Sequence, residues 1–119
     1  MMANETNLLR DYLTYIPQRL AYLKRFGVNP SNYEYKYYSE LHREIKEYLK
    51  SNKVFRLYLM HKISIEQYKA FYNTSERTSY RILAKQRAKL ISFIVKKEKE
   101  LLEKYPQDGL KIDTSVVGR

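Results

Sequence analysis

The stretch Asn73–Leu83 reads NTSERTSYRIL and carries the most informative local pattern in the chain. Asparagine is one of the few non-glycine residues that tolerate a left-handed backbone, so Asn73 predicts a tight turn. Thr74 or Ser75 can then cap a new helix, because a side-chain hydroxyl accepts hydrogen bonds from the free amides of a first helical turn. The stretch therefore predicts a turn followed directly by a helix.

A short helix is predicted just before this turn. Ser64 precedes IEQYKAFY and has Gln67 three residues later, which is the spacing of a capping box, so a helix should run from Ile65 to Phe71 or Tyr72. A short helix, a tight turn and a second helix are the parts of a DNA-binding helix-turn-helix, whose second helix enters the major groove. The alternative interpretation is an ordinary helical hairpin with a solvated basic face.

The region Val54–Lys97 resembles known DNA-binding families. Its SERTSYRIL is similar to the S-x-x-T-x-x-R-x-L recognition helix of many bacterial regulators, and the continuation AKQRAKL is similar to the end of region 4 of sigma factors. The order VFRLYLMHK, SIEQYKAFYN and a basic helix also resembles small phage transcription regulators of the ArpU and RinA type. The resemblance implies a helix-turn-helix at about 64–90. It also implies contacts to phosphates from Thr74, Ser75 and Thr78, and contacts to base edges or backbone from Arg77, Ser79, Tyr80 and Arg81.

Two positions depart from the family pattern. Lys69 stands where the first helix usually has a small apolar residue, and Ser79 stands where the second helix usually has valine. If Ala70 is taken as the small residue instead, the turn is one residue shorter than usual. The angle between the two helices depends on which alignment holds.

The helix after the turn is predicted to be long and basic. No helix breaker occurs before Lys104, and YPQDG then ends the pattern. Arg77, Arg81, Lys85 and Lys89 are four residues apart and should share one face, where they repel one another unless an anion lies across them. Lys85 and Lys89 are therefore predicted DNA contacts together with the residues nearer the turn.

The same helix carries two neighbouring lines of apolar residues, more than a surface helix needs for its own core. We expect the excess to form the seam of a symmetric dimer, which would supply the two-fold symmetry of palindromic operators. The alternative is packing against the first two helices of the same chain. The predicted seam residues are Leu90, Ile91, Ile94, Val95, Leu101 and Leu102.

Further helices are predicted in the N-terminal half. Thr6 or Asn7 can cap a first helix, which Pro17 should kink or divide in two, and Gly27 should end it.

A second helix should start at Ser31 or Asn32, and Val54–Met60 should form the most buried helix, although so short an apolar run also permits a strand. The tyrosines in 33–38 are interpreted as half-buried core rather than a stacking platform for single-stranded nucleic acid.

Composition limits the possible classes of protein. The chain has 119 residues, 44% hydrophobic and 30% charged, with three glycines, three prolines and no cysteine. We expect one all-α domain over residues 1–104, containing the helix-turn-helix, and a flexible tail over 105–119. No signal or membrane-spanning segment is recognisable, so a cytoplasmic location is expected. A net charge of +10 predicts a polyanionic partner, with nucleic acid ahead of an anionic membrane surface.

Catalysis has little support in the sequence, and we expect a binding protein without metal or cofactor. His42 and His61 lie in different segments, and no glycine-rich phosphate loop occurs. The favoured function is sequence-specific binding of double-stranded DNA by a homodimeric transcriptional regulator from a phage or plasmid. One alternative is a DNA-packaging or conjugative-transfer accessory protein, small-terminase-like or relaxosome-like. Another is an inhibitor or adaptor whose basic face docks on an acidic protein such as RNA polymerase.

Overall fold

The computed structural model describes the backbone of residues 2–107 and the side chains of residues 6–107. The protein is all-α, and no strand occurs among the described residues. The predicted fold class is confirmed, including the short helix, the turn and the long last helix. The five helices are α1 (Met2–Arg25), α2 (Tyr33–Lys50), α3 (Lys53–Leu59), α4 (Ile65–Tyr72) and α5 (Glu76–Lys104).

The first helix differs from the prediction in two ways. It begins before Thr6 and Asn7, so neither residue caps it, and Thr6 is instead buried inside the helix. Pro17 lies within one continuous helix rather than between two. Proline removes one backbone donor, but the buried residues Ile16 and Leu23 on either side hold both halves against the core.

Gly27 ends the first helix as predicted. Its φ of +68° is a left-handed conformation, which costs glycine nothing because it has no Cβ. The Gly27 amide donates to the Lys24 carbonyl at 3.1 Å and the Val28 amide to the Leu23 carbonyl at 3.0 Å. These bonds satisfy two carbonyls that the helix end leaves free.

The middle helices are short and follow local signals. The Asn32 side chain caps α2 by accepting from the amides of Glu34 and Tyr35, and a turn at Ser51 and Asn52 separates α2 from α3. The run Val54–Met60 is helical as far as Leu59, within α3, and its Phe55 and Leu59 are among the most deeply buried side chains, while Arg56 and Met60 in the same run are exposed. A seven-residue helix between α2 and α4 presents one face to the core and leaves the other in solvent.

The core lies where α2 packs against both α1 and α5, and α4 packs on the first half of α5. Arg10 of α1 ties the N-terminal helix to α3, because its guanidinium donates to the carbonyls of Tyr58 and Leu59 at the α3 C-terminus. The most deeply buried side chains are Ile16, Leu41, Phe55, Leu59, Tyr68, Leu83 and Leu90.

The chain beyond α5 begins as part of the folded body. Tyr105 is buried and donates its hydroxyl proton to the Glu40 carboxylate, and the Gln107 side chain donates to the Tyr33 carbonyl at 3.2 Å. The predicted tail therefore does not start at residue 105, and its remainder, 108–119, lies outside the described residues. No described helix combines the length and apolar composition that crossing a bilayer requires.

Candidate nucleic-acid interface

The predicted turn between α4 and α5 is present, and Asn73 is left-handed, with φ 49° and ψ 55°. Its amide donates to the Ala70 carbonyl at 3.1 Å, and the Thr74 amide donates to the Lys69 carbonyl at 3.3 Å. These bonds close the last turn of α4 and let the chain reverse within three residues. The turn spans residues 73–75, so α5 starts directly beside the end of α4.

Ser75, rather than Thr74, caps α5. Its Oγ accepts from the Thr78 amide at 3.1 Å, and it lies 3.1 Å from the Thr78 hydroxyl. Ser75 is exposed, while Thr74 and Thr78 are half-buried. Two hydroxyls thus lie together beside the free amides of the α5 N-terminus, an arrangement that suits contact with a phosphate.

Side-chain hydrogen bonds cap the start of α4 and join its later residues to α5. At its start, Ser64 and Gln67 form the predicted capping box, with amide to side-chain distances of 2.9 and 3.2 Å. Further along, Gln86 of α5 accepts from the Tyr68 hydroxyl and donates to the Tyr72 hydroxyl at 3.0 Å. Burial, more than the neighbouring tyrosines, raises the pKa of Tyr68, so its hydroxyl stays protonated and keeps donating. Sequence reasoning missed Gln86, because a glutamine within a basic helix carries no local signal of a buried partner.

The exposed face of α5 carries the predicted row of cations. The side chains of Arg77, Arg81, Lys85 and Lys89 are all exposed, and none forms an ion pair with a described residue. Some exposed cations on other helices have partners, such as Lys50 with Glu47 at 3.1 Å, whereas others, such as Lys46, have none among the described residues.

The row lacks partners because the acids are confined to the two ends of α5. No acidic residue occurs between Glu76 and Glu98, and the exposed lysines Lys96 and Lys99 continue the same face. This basic row, defined as Arg77, Arg81, Lys85 and Lys89, is therefore uncompensated within the described chain. Sequence reasoning did not extend the face to Lys96 and Lys99, because it counted strict steps of four residues instead of the 3.6 residues of a helical turn.

The position of Ser79 differs from the prediction that it contacts DNA. Its side chain is fully buried, so it cannot reach a base edge or a phosphate, and the prediction for this residue is wrong. The physical reason is helical phase: Ser79 shares the inward line of α5 with Leu83 and Leu90. Its hydroxyl has no hydrogen-bond partner among the described residues. The remaining predicted reader, Tyr80, is half-buried at the edge of the row.

Three of the predicted dimer residues are already used inside the chain. Leu90, Ile94 and Leu101 are buried in the core cluster, so they are not available as a seam between copies. For the line of α5 that contains these three residues, the alternative interpretation is correct: they pack against other helices of the same chain. On the neighbouring line, Ile91 and Val95 are 43% and 49% exposed, and Leu102 is half-buried.

An apolar groove of about 360 Å³ lies between the N-terminal half of α1 and the middle of α5. The hydroxyl of Tyr12 donates to the carboxylate of Glu98 at its edge, which joins the two helices. Burial, followed by this hydrogen bond, raises the pKa of Tyr12. The groove is lined by Leu8, Leu9, Tyr12, Ile91, Ile94, Val95 and Glu98.

The described residues contain no group of three or more His, Asp or Glu side chains that could hold a metal ion. His42 is half-buried, and burial, more than the nearby Lys46, lowers its pKa.

No protein-family model, curated protein or solved structure matches this chain. The function must therefore be inferred from the geometry and charge of the surface itself.

Proposed function

We propose that the protein is a sequence-specific binder of double-stranded DNA that regulates transcription, of the kind encoded by phages and plasmids. The observation that carries the proposal is the basic row, which begins within one turn of the capped N-terminus of α5. An uncompensated row of cations repels itself, and bound phosphates relieve that repulsion while releasing counterions.

The basic row is long enough to make two kinds of contact with DNA. Arg77 and Lys89 are twelve residues apart, or about 18 Å along the helix axis. The major groove is only about 12 Å wide, so one end of the row enters the groove while the other meets the backbone. We assign Arg77, Arg81 and Tyr80 to the groove and Lys85 and Lys89 to phosphates. Ser75 and Thr78 contact a phosphate next to the helix N-terminus, with Thr74 beside them.

The proposal includes a homodimer, because a regulator that reads a palindromic site needs two reading helices related by a two-fold axis. An acidic protein such as RNA polymerase is a further partner of a transcriptional regulator. A ring of eight or more copies on DNA would instead favour the packaging alternative.

A second candidate is an adaptor or inhibitor that docks on an acidic protein. The exposed Ile91 and Val95 beside the basic row favour it, since a phosphate backbone offers no apolar surface for them to cover. A protein surface with acidic and apolar patches would match both features of α5.

Titration of a random 30-base-pair duplex at several salt concentrations separates the two candidates. We expect affinity to fall steeply with salt. Lys85→Ala or Lys89→Ala should lower the logarithmic salt slope by about one unit for each phosphate that the variant no longer neutralises. Lys46→Ala is the matched control, since this exposed lysine of α2 also has no ion pair with a described residue. Absence of duplex binding, or the same weakening in the control, would refute the proposal and favour the acidic protein.

A further inference from the structure

One flank of α1, together with Phe26 just beyond its end, carries a partly exposed apolar stripe, in which only the Tyr15 ring has an aromatic partner on another helix, Tyr38 of α2, with centroids 5.9 Å apart. The stripe consists of Leu8, Tyr15, Tyr22 and Phe26, whose side chains are 68%, 45%, 49% and 65% exposed. The buried residues Leu9, Ile16 and Leu23 each follow a stripe residue directly, so the stripe borders the face of α1 that packs in the core. Four large apolar side chains aligned along one helix and its end are more than the scattered exposed residues of an ordinary surface, and they suit an interaction site.

The spacing of the stripe suits a second helix. Leu8, Tyr15 and Tyr22 are seven residues apart, which is the repeat of helices that pack side by side, and Phe26 follows one turn later. From Leu8 to Phe26 the stripe runs for about 27 Å along the helix axis. A partner helix of similar length can therefore pack along it.

Neighbouring groups already order the aromatic side chains. The Tyr22 and Phe26 rings have centroids 4.7 Å apart, and the Arg19 guanidinium lies 4.8 Å from the Tyr22 centroid. Arg19 is itself held by Glu34 at 2.6 Å. Less side-chain entropy is therefore lost when a partner covers these rings.

We propose that the stripe binds α1 of a second copy of this chain in an antiparallel, two-fold arrangement. Charge decides the orientation: Asp11 is exposed near one end of the stripe, and Lys24 and Arg25 are exposed at the other. None of the three forms an ion pair with a described residue. Antiparallel packing places Asp11 of each copy opposite Arg25 of the other, whereas parallel packing would place like charges together.

The same register fills the apolar groove. When Tyr15 of one copy lies opposite Tyr22 of the other, Phe26 lies level with residue 11 of the second copy. That position is within one turn of Leu8 and Tyr12, which line the groove between α1 and α5. The Phe26 ring therefore packs at the groove mouth and covers the exposed Ile91 and Val95.

This dimer interface adds to the proposed function. It rests on that function in one respect only, namely that a reader of palindromic DNA needs two copies. The basic row lies on the exposed face of α5, and its four cations take no part in the interface. A monomeric variant should therefore still bind random duplex DNA. Loss of dimerisation and loss of DNA binding can be measured separately.

Sedimentation velocity of the full chain without DNA tests the interface. We expect the wild type to form dimers as its concentration rises to about 200 µM, and Tyr22→Glu to remain monomeric with an unchanged helical circular dichroism spectrum. Phe71→Glu is the matched control, since Phe71 of α4 is also 65% exposed and lies outside the stripe. The proposal is overturned if the wild type is monomeric throughout, or if Tyr22→Glu dimerises as well as Phe71→Glu.

A charge exchange tests the antiparallel orientation. Asp11→Arg and Arg25→Asp should each weaken the dimer at least several-fold, because each places like charges opposite one another. The double variant should recover most of the wild-type association, because the pairs re-form with their signs exchanged. If the double variant associates no better than the single ones, the antiparallel pairing is wrong.

Discussion

At the scale of single residues, Ser79 has an unfavourable environment. Its hydroxyl is buried without a partner among the described residues, and an unsatisfied buried donor costs about 1–3 kcal/mol. Ser79→Ala should therefore raise the free energy of unfolding by about 1–2 kcal/mol and leave DNA affinity unchanged, as measured by urea unfolding and duplex titration. Ser92→Ala is the control, since this exposed serine of α5 gains only the helix propensity of alanine. Equal effects at the two sites would contradict the assigned burial penalty.

Asn73 permits a second test at this scale, since the turn depends on its left-handed backbone. Asn73→Gly should be neutral or slightly stabilising, whereas Asn73→Val should cost about 1–2 kcal/mol, because a β-branched side chain clashes in this region. Within a continuous helix the order would be reversed, since glycine is the worse of the two. Chemical unfolding of both variants decides the order.

The residues whose roles were predicted correctly form hydrogen bonds with residues close to them in the sequence. Ser64 caps α4 through Gln67 three residues away, and Ser75 caps α5 in the same way. Their hydrogen bonds depend only on local spacing. The orientation of Ser79 and the bridging role of Gln86 depend on how α4 packs against α5. No single stretch of sequence contains that information.

At the scale of the helices, α5 carries two lines of apolar residues that look alike in the sequence but differ in burial. Leu90 is fully buried, so Leu90→Ala should lower the free energy of unfolding by about 2–5 kcal/mol. Ile91, the next residue, lies on the exposed line, and Ile91→Ala should cost less than about 1 kcal/mol in dilute protein. Urea unfolding of both variants measures the difference, and similar decreases would mean that the phase of α5 is wrong.

The end of α5 is joined to α2 by a contact whose strength depends on pH. The Tyr105 hydroxyl, and then the ammonium of Lys104, hold the pKa of Glu40 below its ordinary value. A carboxyl whose pKa is lowered on folding stabilises the protein above its unfolded pKa, about 4.3, and loses this effect as pH falls through the folded pKa.

Tyr105→Phe removes the larger cause of that shift. The variant should therefore be less stable than the wild type at neutral pH, and the difference should shrink below about pH 4. Thermal unfolding across this range measures it, with Tyr35→Phe as the control because Tyr35 forms no such bond with a described residue. A loss of stability that is independent of pH would mean that Glu40 is not the partner that matters.

At the scale of the whole molecule, much of the fold could be predicted because helical periodicity and caps repeat along the chain. Three helices, α2, α4 and α5, begin at their predicted starts, since Asn32, Ser64 and Ser75 mark them locally. The start of α1 and its continuity through Pro17 could not be predicted in this way, because they depend on packing against distant helices.

For the interface, charge spacing alone predicted that the four cations of the basic row share an exposed face. The exposed stripe on α1 was not predicted from the sequence. An aromatic side chain at helical spacing has the same pattern whether it faces the core or solvent. Only the packing of α1 against α2 and α5 shows that Tyr15 and Tyr22 face outward.

The central claim is that the N-terminal end of the basic row reads DNA, and Arg77 tests it most directly. Wild type, Arg77→Ala and the control Lys46→Ala should be titrated against a selected site and a random duplex at two salt concentrations. We expect Arg77→Ala to lose about 1–3 kcal/mol of binding free energy on the selected site, with a smaller decrease on random DNA, and Lys46→Ala to match the wild type on both. Unchanged affinity of Arg77→Ala for both duplexes would contradict the claim and leave NTSERTSYRIL as a capped structural helix.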